Sequence, residues 1–173
     1  MNCWYDFYKD KNNIVHENYI RNKYSVFLQV VEKYSVNKQR ILETGSGKGT
    51  ITKLLHCKNP SKKYQTLDIN KKLLKLSLFD SIVQDIRKPI TTDVQFIHSH
   101  GVLEHFDITD IKQIVSNLKE RNVPMVHYVP TNKYKYRSFG NERLFSVEQW
   151  QNMVNPDKTI SFNNKHDLIL IWA

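Results

Sequence analysis

The stretch Ile41-Leu42-Glu43-Thr44-Gly45-Ser46-Gly47-Lys48-Gly49 constrains this chain more than any other. A short apolar run leads into glycines, and Ile51, Leu54 and Leu55 follow at helical spacing. That is the pattern of a buried strand turning sharply into a helix. Glycines at such a turn adopt backbone angles closed to other residues and let a ligand approach the main chain. The spacing Gly-x-Gly-x-Gly differs from the Gly-x-Gly-x-x-Gly of dinucleotide sites. It also lacks the Gly-Lys-Ser/Thr ending of a phosphate loop, since Lys48 is followed by Gly49-Thr50. Glu43, two places before the first glycine, would repel a phosphate; a carboxylate there suits a ligand with an ammonium group or several hydroxyls.

The same alternation continues along the chain. Residues 64–68 read as the next strand, after which Asn70 caps a helix carrying Leu73, Leu74, Leu76 and Leu78. Residues 81–85 form a third strand, ended by Lys88-Pro89, and residues 94–99 a fourth. Asp107 or Thr109 caps a helix over 111–121, with Ile111, Ile114, Val115 and Leu118 on one face; residues 124–129 are a fifth strand. Upstream, residues 19–34 place Phe27, Val30, Val31 and Tyr34 in helical register. A polar, Tyr- and Lys-rich segment at 131–143 precedes a short helix near 147–153, and strands at 159–162 and 168–172 close the chain as a hairpin. Strands alternating with helices predict an α/β fold, with an open, mostly parallel seven-stranded sheet, helices on both faces and a C-terminal antiparallel hairpin.

With no repeat or Pro/Gly-rich linker, residues 1–173 read as one domain. It divides into an N-terminal helical cap (1–38), a ligand-binding core (39–130) and an acceptor-side loop with the hairpin (131–173). The aromatic opening Trp4-Tyr5-Asp6-Phe7-Tyr8 is expected over the C-terminal edge of the sheet. A hydrophobic content of 40% in 173 residues supports a core without disulfides. Cys3 and Cys57 are too few for a disulfide framework, match no metal spacing, and leave no metal site expected. The start has no signal-peptide pattern and no apolar run reaches spanning length, so the expectation is a soluble, cytoplasmic protein without membrane contact. The net charge of +9 comes mainly from scattered Lys and forms no compact basic run, so a nucleic-acid partner is permitted but not favoured.

The run Glu43-x-Gly45-x-Gly47-x-Gly49 resembles the first motif of the class I S-adenosylmethionine-dependent methyltransferases of the small-molecule type, a Rossmann-like family. Further segments fall in the family's order. Asp68, closing the second strand, corresponds to the acidic residue that binds the ribose hydroxyls, with Ile69 packing on the adenine; from the residues alone it is equally a helix cap shared with Asn70. Val83-Gln84-Asp85-Ile86 is similar to the segment whose Asp side chain and following N–H bind the adenine edge. Residues 94–106, through Ser99 and Val102-Leu103-Glu104-His105, are similar to the fourth motif. The resemblance implies S-adenosylmethionine as cofactor, bound by Glu43, Gly45, Ser46, Gly47, Gly49, Asp68, Ile69, Asp85, Ile86 and Ser99. It implies an enzyme that transfers a methyl group by in-line displacement to an oxygen or nitrogen.

His98-Ser99-His100-Gly101 stands where adenine-N6 and cytosine-N4 enzymes of the family carry Asn/Asp-Pro-Pro-Tyr/Phe, and neither cysteine sits in the Pro-Cys context of cytosine-C5 enzymes. Those nucleic-acid classes are disfavoured, while methylation of RNA ribose or guanine positions stays open; the similarity of the fourth motif to that of methyltransferases acting on small molecules implies a small-molecule acceptor. An RNA methyltransferase using the basic surface, or a non-catalytic cofactor-binding subunit, is the alternative, and the protein is a monomer or homodimer. His100 and His105 are the candidate bases, because imidazole exchanges protons near neutral pH; either one also fits a role in orienting the next helix. Tyr134, Arg137 and Arg143 are the candidate acceptor contacts, as for an anionic or sugar-bearing molecule; an edge loop with Glu142 and Arg143 paired is the other reading.

Overall fold

The computed structural model describes Tyr5, residues 13–134 and residues 141–173. Seven strands form one sheet in the order β3-β2-β1-β4-β5-β7-β6. β1 (Arg40–Thr44), β2 (Lys63–Asp68), β3 (Asp80–Val83), β4 (Phe96–His100) and β5 (Met125–Pro130) run parallel. β6 (Lys158–Phe162) and β7 (Asp167–Trp172) form the antiparallel hairpin, with β7 inserted beside β5 and β6 at the edge. This is the expected α/β architecture. The helices that lie wholly within the described residues are α1 (Asn13–Lys23), α2 (Ser25–Tyr34), α3 (Thr50–Lys58), the single turn α4 (Lys71–Leu74), α5 (Ile108–Lys119) and α6 (Val147–Val154), with a 3-10 turn at Leu103–His105.

The central strands are apolar throughout because alternate residues serve opposite, covered faces. Ile41 joins Phe96, Val126 and Ile169 on one face, under Phe27 of α2 and Leu54 of α3. Leu42 joins Ile97, Met125 and Leu168 on the other, under Ile111 of α5 and Trp150 of α6. Burying each such side chain contributes roughly 1.5–3 kcal/mol, so the two faces together fix the strand order. Asp107, rather than Thr109, caps α5 by accepting the Asp110 N–H at 2.8 Å, which starts the helix at Ile108. Ser146 and Gln149 form a reciprocal capping box that starts α6.

Two expectations are corrected. The helical register over 19–34 is broken at Tyr24, whose φ of −110° and ψ of 25° separate α1 from α2. Tyr24 is buried, with its ring 4.2 Å from that of His100 and 5.0 Å from that of Tyr128. That packing at the end of β4 outweighs helix continuation. The helix capped by Asn70 ends at Leu74, and Leu76 and Leu78 are exposed. There the Ser77 hydroxyl accepts the Phe79 N–H at 3.2 Å and bonds Thr66 Oγ1 at 3.2 Å, steering the chain into β3.

Candidate functional site

The parallel strands all end on one side of the sheet. The order reverses between β1 and β4, since β2 and β3 lie to one side of β1 and β4 and β5 to the other. Ligands of open α/β sheets bind at such a switch point. Here Gly45 leaves β1 with φ of +62°, and a Cβ on it would lie 2.5 Å from Val102 Cγ2. Only glycine lets the turn press against the segment leaving β4.

Acidic side chains anchor this turn. Glu43 is buried at the end of β1, and its Oε2 accepts the Thr52 N–H at 3.1 Å and the Thr52 hydroxyl at 2.6 Å. Burial pushes its carboxyl up to about 7, against the pull of the two Thr52 bonds. Asp68 Oδ2 accepts the Gly47 N–H and Oδ1 the Asn70 N–H, both at 2.8 Å. Burial raises the Asp68 carboxyl too, opposed by those N–H groups. Asn70 itself caps α4, accepting the Lys72 and Leu73 N–H groups, so Asp68 is not that cap.

A cavity of about 820 Å³ runs along these strand ends from β3 to β5, within the usual size range of small-molecule sites. α1 roofs it with His16, Tyr19 and Ile20. The structure brings Glu43, Gly45, Ser46, Gly47, Asp68 and Ile69 into its wall, together with Asp85 and Ile86 at the β3 end. Gly49 does not line it; with φ of +77° it caps α3. Ile69 is an exposed apolar residue at 65%, at the cavity's edge. Asp85 is held by Arg87, whose Nη2 donates to Oδ2 at 2.6 Å, and the guanidinium keeps its carboxyl below the ordinary range.

Ser99 departs from expectation. Its hydroxyl is buried against His127 Nδ1 at 2.7 Å, and it takes no part in the cavity wall. Strand alternation explains this, because His100 faces the cavity and its neighbour must face the other way.

At the β4–β5 end, His100 lines the cavity and stacks on Tyr128, with ring centroids 4.4 Å apart and planes 15° apart. Burial lowers it to about 3, so its imidazole is neutral at neutral pH. His105 also lines the cavity, with Nδ1 2.9 Å from Asn141 Oδ1. Tyr134 lines it as well, its hydroxyl accepting from Lys23 Nζ at 2.7 Å. Arg137 lies outside the described residues. Arg143 is not in the wall: it is exposed, its guanidinium donates to the His105 carbonyl at 3.4 Å, and its backbone N–H donates to Glu104 O at 2.8 Å.

Glu142 and Glu104, neither expected as a site residue, are both buried in this wall. Glu104 is pushed up to about 8 by burial, with Glu142 adding to the rise. Tyr24 and Tyr128 complete the wall, and no motif marks them. The sequence signal for Glu104 was its place in the polar turn after a buried strand; Tyr24 carries none, since its position depends on the break between two helices. Among the described residues no group of His, Cys, Asp or Glu is placed to hold a metal ion, and no helix is long and apolar enough to cross a membrane.

The architecture is that of the class I S-adenosylmethionine-dependent methyltransferases, a fold shared with many solved structures. The PH0226 protein of Pyrococcus horikoshii superposes with a TM-score of 0.75 at 13% identity, over 99% of this chain and 98% of that one. An S-adenosylmethionine-dependent methyltransferase of Clostridium acetobutylicum gives 0.70 at 13% identity, over 98% of each chain. An O-methyltransferase from neocarzinostatin biosynthesis, solved with S-adenosylhomocysteine and 1,4-dihydroxy-2-naphthoic acid, gives 0.69 at 12% identity, over 98% of this chain and 61% of that one. No protein-family model and no curated protein matches the sequence.

Proposed function

We propose that the protein is an S-adenosylmethionine-dependent methyltransferase acting on an oxygen or nitrogen of a small-molecule acceptor. The observation that carries this reading is the glycine turn with its two acidic anchors, set in the wall of one cavity at the sheet's switch point.

The residues present fit the cofactor. Ser46 Oγ is buried beside the cavity with no hydrogen-bond partner among the described residues, so the turn presents an unused polar group. Asp68 suits the ribose hydroxyls, Ile69 offers apolar surface for the adenine face, and Asp85 with the Ile86 backbone suits its edge. Glu43 suits the amino acid end, where an ammonium group would offset the cost of burying its charge. When bound, the cofactor supplies an activated methyl carbon on a positively charged sulfur. The chain's own contribution is then positioning and exclusion of water. α1 covers the strand ends, and His100, Tyr128 and Glu104 shape the acceptor side. A cavity of about 820 Å³ suits a small acceptor, and with Arg143 turned outward the expectation of an anionic acceptor loses one of its cations.

Calorimetric titration with S-adenosylmethionine and S-adenosylhomocysteine tests this directly. Saturable binding of both is expected. No binding of either by well-folded protein would overturn the reading.

A further inference from the structure

Two buried carboxyls, Glu104 and Glu142, stand in the wall at the β4–β5 end of the cavity, although the chain as a whole carries +9. Glu104 is only 4% exposed, and its Oε2 has no hydrogen-bond partner among the described residues. A Cβ on Gly101 would lie 3.3 Å from Oε1, so any side chain there would crowd this carboxyl. Glu142 is buried in the same wall, on the segment joined to Glu104 by the Arg143 N–H. Among the described residues, Arg87 is engaged on Asp85 and Asp110, and Arg143 on the His105 carbonyl.

Tyr19, Tyr24 and Tyr134 line the same cavity as these carboxyls, and their faces already hold a cation. The Lys23 ammonium lies 4.7 Å from the Tyr134 ring centroid, 5.2 Å from that of Tyr24 and 5.4 Å from that of Tyr19. Contacts of this kind contribute about 0.5–2 kcal/mol, rising as water is excluded. An ammonium from the chain itself thus rests on aromatic rings that line the same cavity as a buried carboxyl.

Resting on the methyltransferase reading, we propose that the acceptor is a primary or secondary amine, received as its ammonium by Glu104 and the tyrosine faces and relieved of its proton by Glu104. The N–H bond breaks, the proton passes to Oε2, and the nitrogen keeps the electron pair. A neutral amine and a neutral carboxyl remain, and the amine is the nucleophile.

The proton balance fits this transfer. An ordinary carboxyl lies about six pH units below an alkylammonium and would leave the proton on nitrogen. Glu104, held near 8, lies much closer. Among the described residues, the ionisable groups lining this end of the cavity include Glu142, Tyr24, Tyr128, Tyr134, His100 and His105, and both histidines are shifted downward. At pH 7 the free protein therefore carries a neutral Glu104. An ammonium arriving beside it leaves the pair with one proton fewer, whichever partner keeps the other.

The test is calorimetry on protein loaded with S-adenosylhomocysteine, at pH 7 in two buffers of different ionisation heat, with benzylamine, benzyl alcohol and benzoate as probes. Benzylamine should bind at least about tenfold more tightly than either isostere, releasing close to one proton. Glu104→Gln should abolish the proton release. Lys23→Met, which removes the resident ammonium, should tighten benzylamine binding and keeps the test decisive if the first variant fails to fold. Equal binding of benzyl alcohol or benzoate, absence of benzylamine binding, or binding without proton release overturns the proposal. Loss of S-adenosylhomocysteine binding itself would instead defeat the methyltransferase reading, so the two failures are distinguishable.

Discussion

Asp68 at the end of β2 accepts the Gly47 N–H through Oδ2 at 2.8 Å, so the turn after β1 is tied to the neighbouring strand across the switch point. The same carboxylate accepts the Asn70 N–H through Oδ1. Asp68→Ala removes both bonds and the group assigned to the ribose. Hydrogen bonds to a charged group contribute about 1.5–3 kcal/mol each. The variant should therefore weaken S-adenosylmethionine binding by about tenfold or more, read by calorimetry, and lower the Tm. Unchanged affinity would remove Asp68 from the site.

Gly45 and Val102 make a second testable contact. Gly45→Ala meets both Val102 methyls, at 2.5 and 2.8 Å, and holds alanine at φ of +62°. The left-handed angle alone costs about 1–2 kcal/mol, and the overlap adds to it. Val102→Ala in the same chain should relieve the overlap and leave the angular cost. Denaturant unfolding should therefore show Gly45→Ala as strongly destabilising, with partial recovery in the double variant. Simple additivity of the two losses would refute the contact.

The turn and its anchors were legible because they are local. Apolar run, glycine spacing and terminal carboxylate occur within a few residues of one another, and the periodicity of each strand and helix marks its own element. The β4–β5 end was read less well because its wall is assembled from distant segments. Tyr24 comes from a helix break, Tyr128 from β5, and Glu142 from a segment joined to Glu104 by one backbone bond. Arg143 was read as an acceptor contact from its charge, yet it faces outward while its acidic neighbour Glu142 is buried. Ser99 was misplaced for a simpler reason, since alternation along β4 admits His100 to the cavity and excludes its neighbour.

Buried ionisable groups set how stability depends on pH. His98, His100 and His127 are lowered by burial to about 3, 3 and 4. In the window from about 6.5 down to those values the unfolded chain binds more protons, so stability falls as pH falls. Glu43 and Glu104 are raised to about 7 and 8. Their contribution is fully present below the ordinary carboxyl pKa, about 4.3, and is lost as pH rises through 7 and 8. With three histidines opposing two carboxyls, the Tm of the ligand-free protein should peak near pH 6.5 and decline on both sides. Glu104→Gln should flatten the alkaline limb and steepen the acid limb above about pH 4.3, where Glu104 had opposed the histidines; an unaltered alkaline limb would place the titration elsewhere.

The sequence offers His100 as a candidate base or as a group that orients the next helix, and burial makes its imidazole neutral. Its imidazole stacks on Tyr128, meets Tyr24 edge-on, and leaves Nε2 buried without a partner among the described residues. A base held near 3 takes up a proton poorly at neutral pH, where proton transfer is most effective with a matched pKa. NMR titration of histidine-labelled protein should therefore show no His100 ring titration between pH 5 and 8, with assignment from the His100→Phe spectrum. That variant should keep the aromatic stack and the fold while removing the buried, unpartnered Nε2. A His100 midpoint near 6.5 would mean that the imidazole is hydrated, and would restore it as the proton acceptor in place of Glu104.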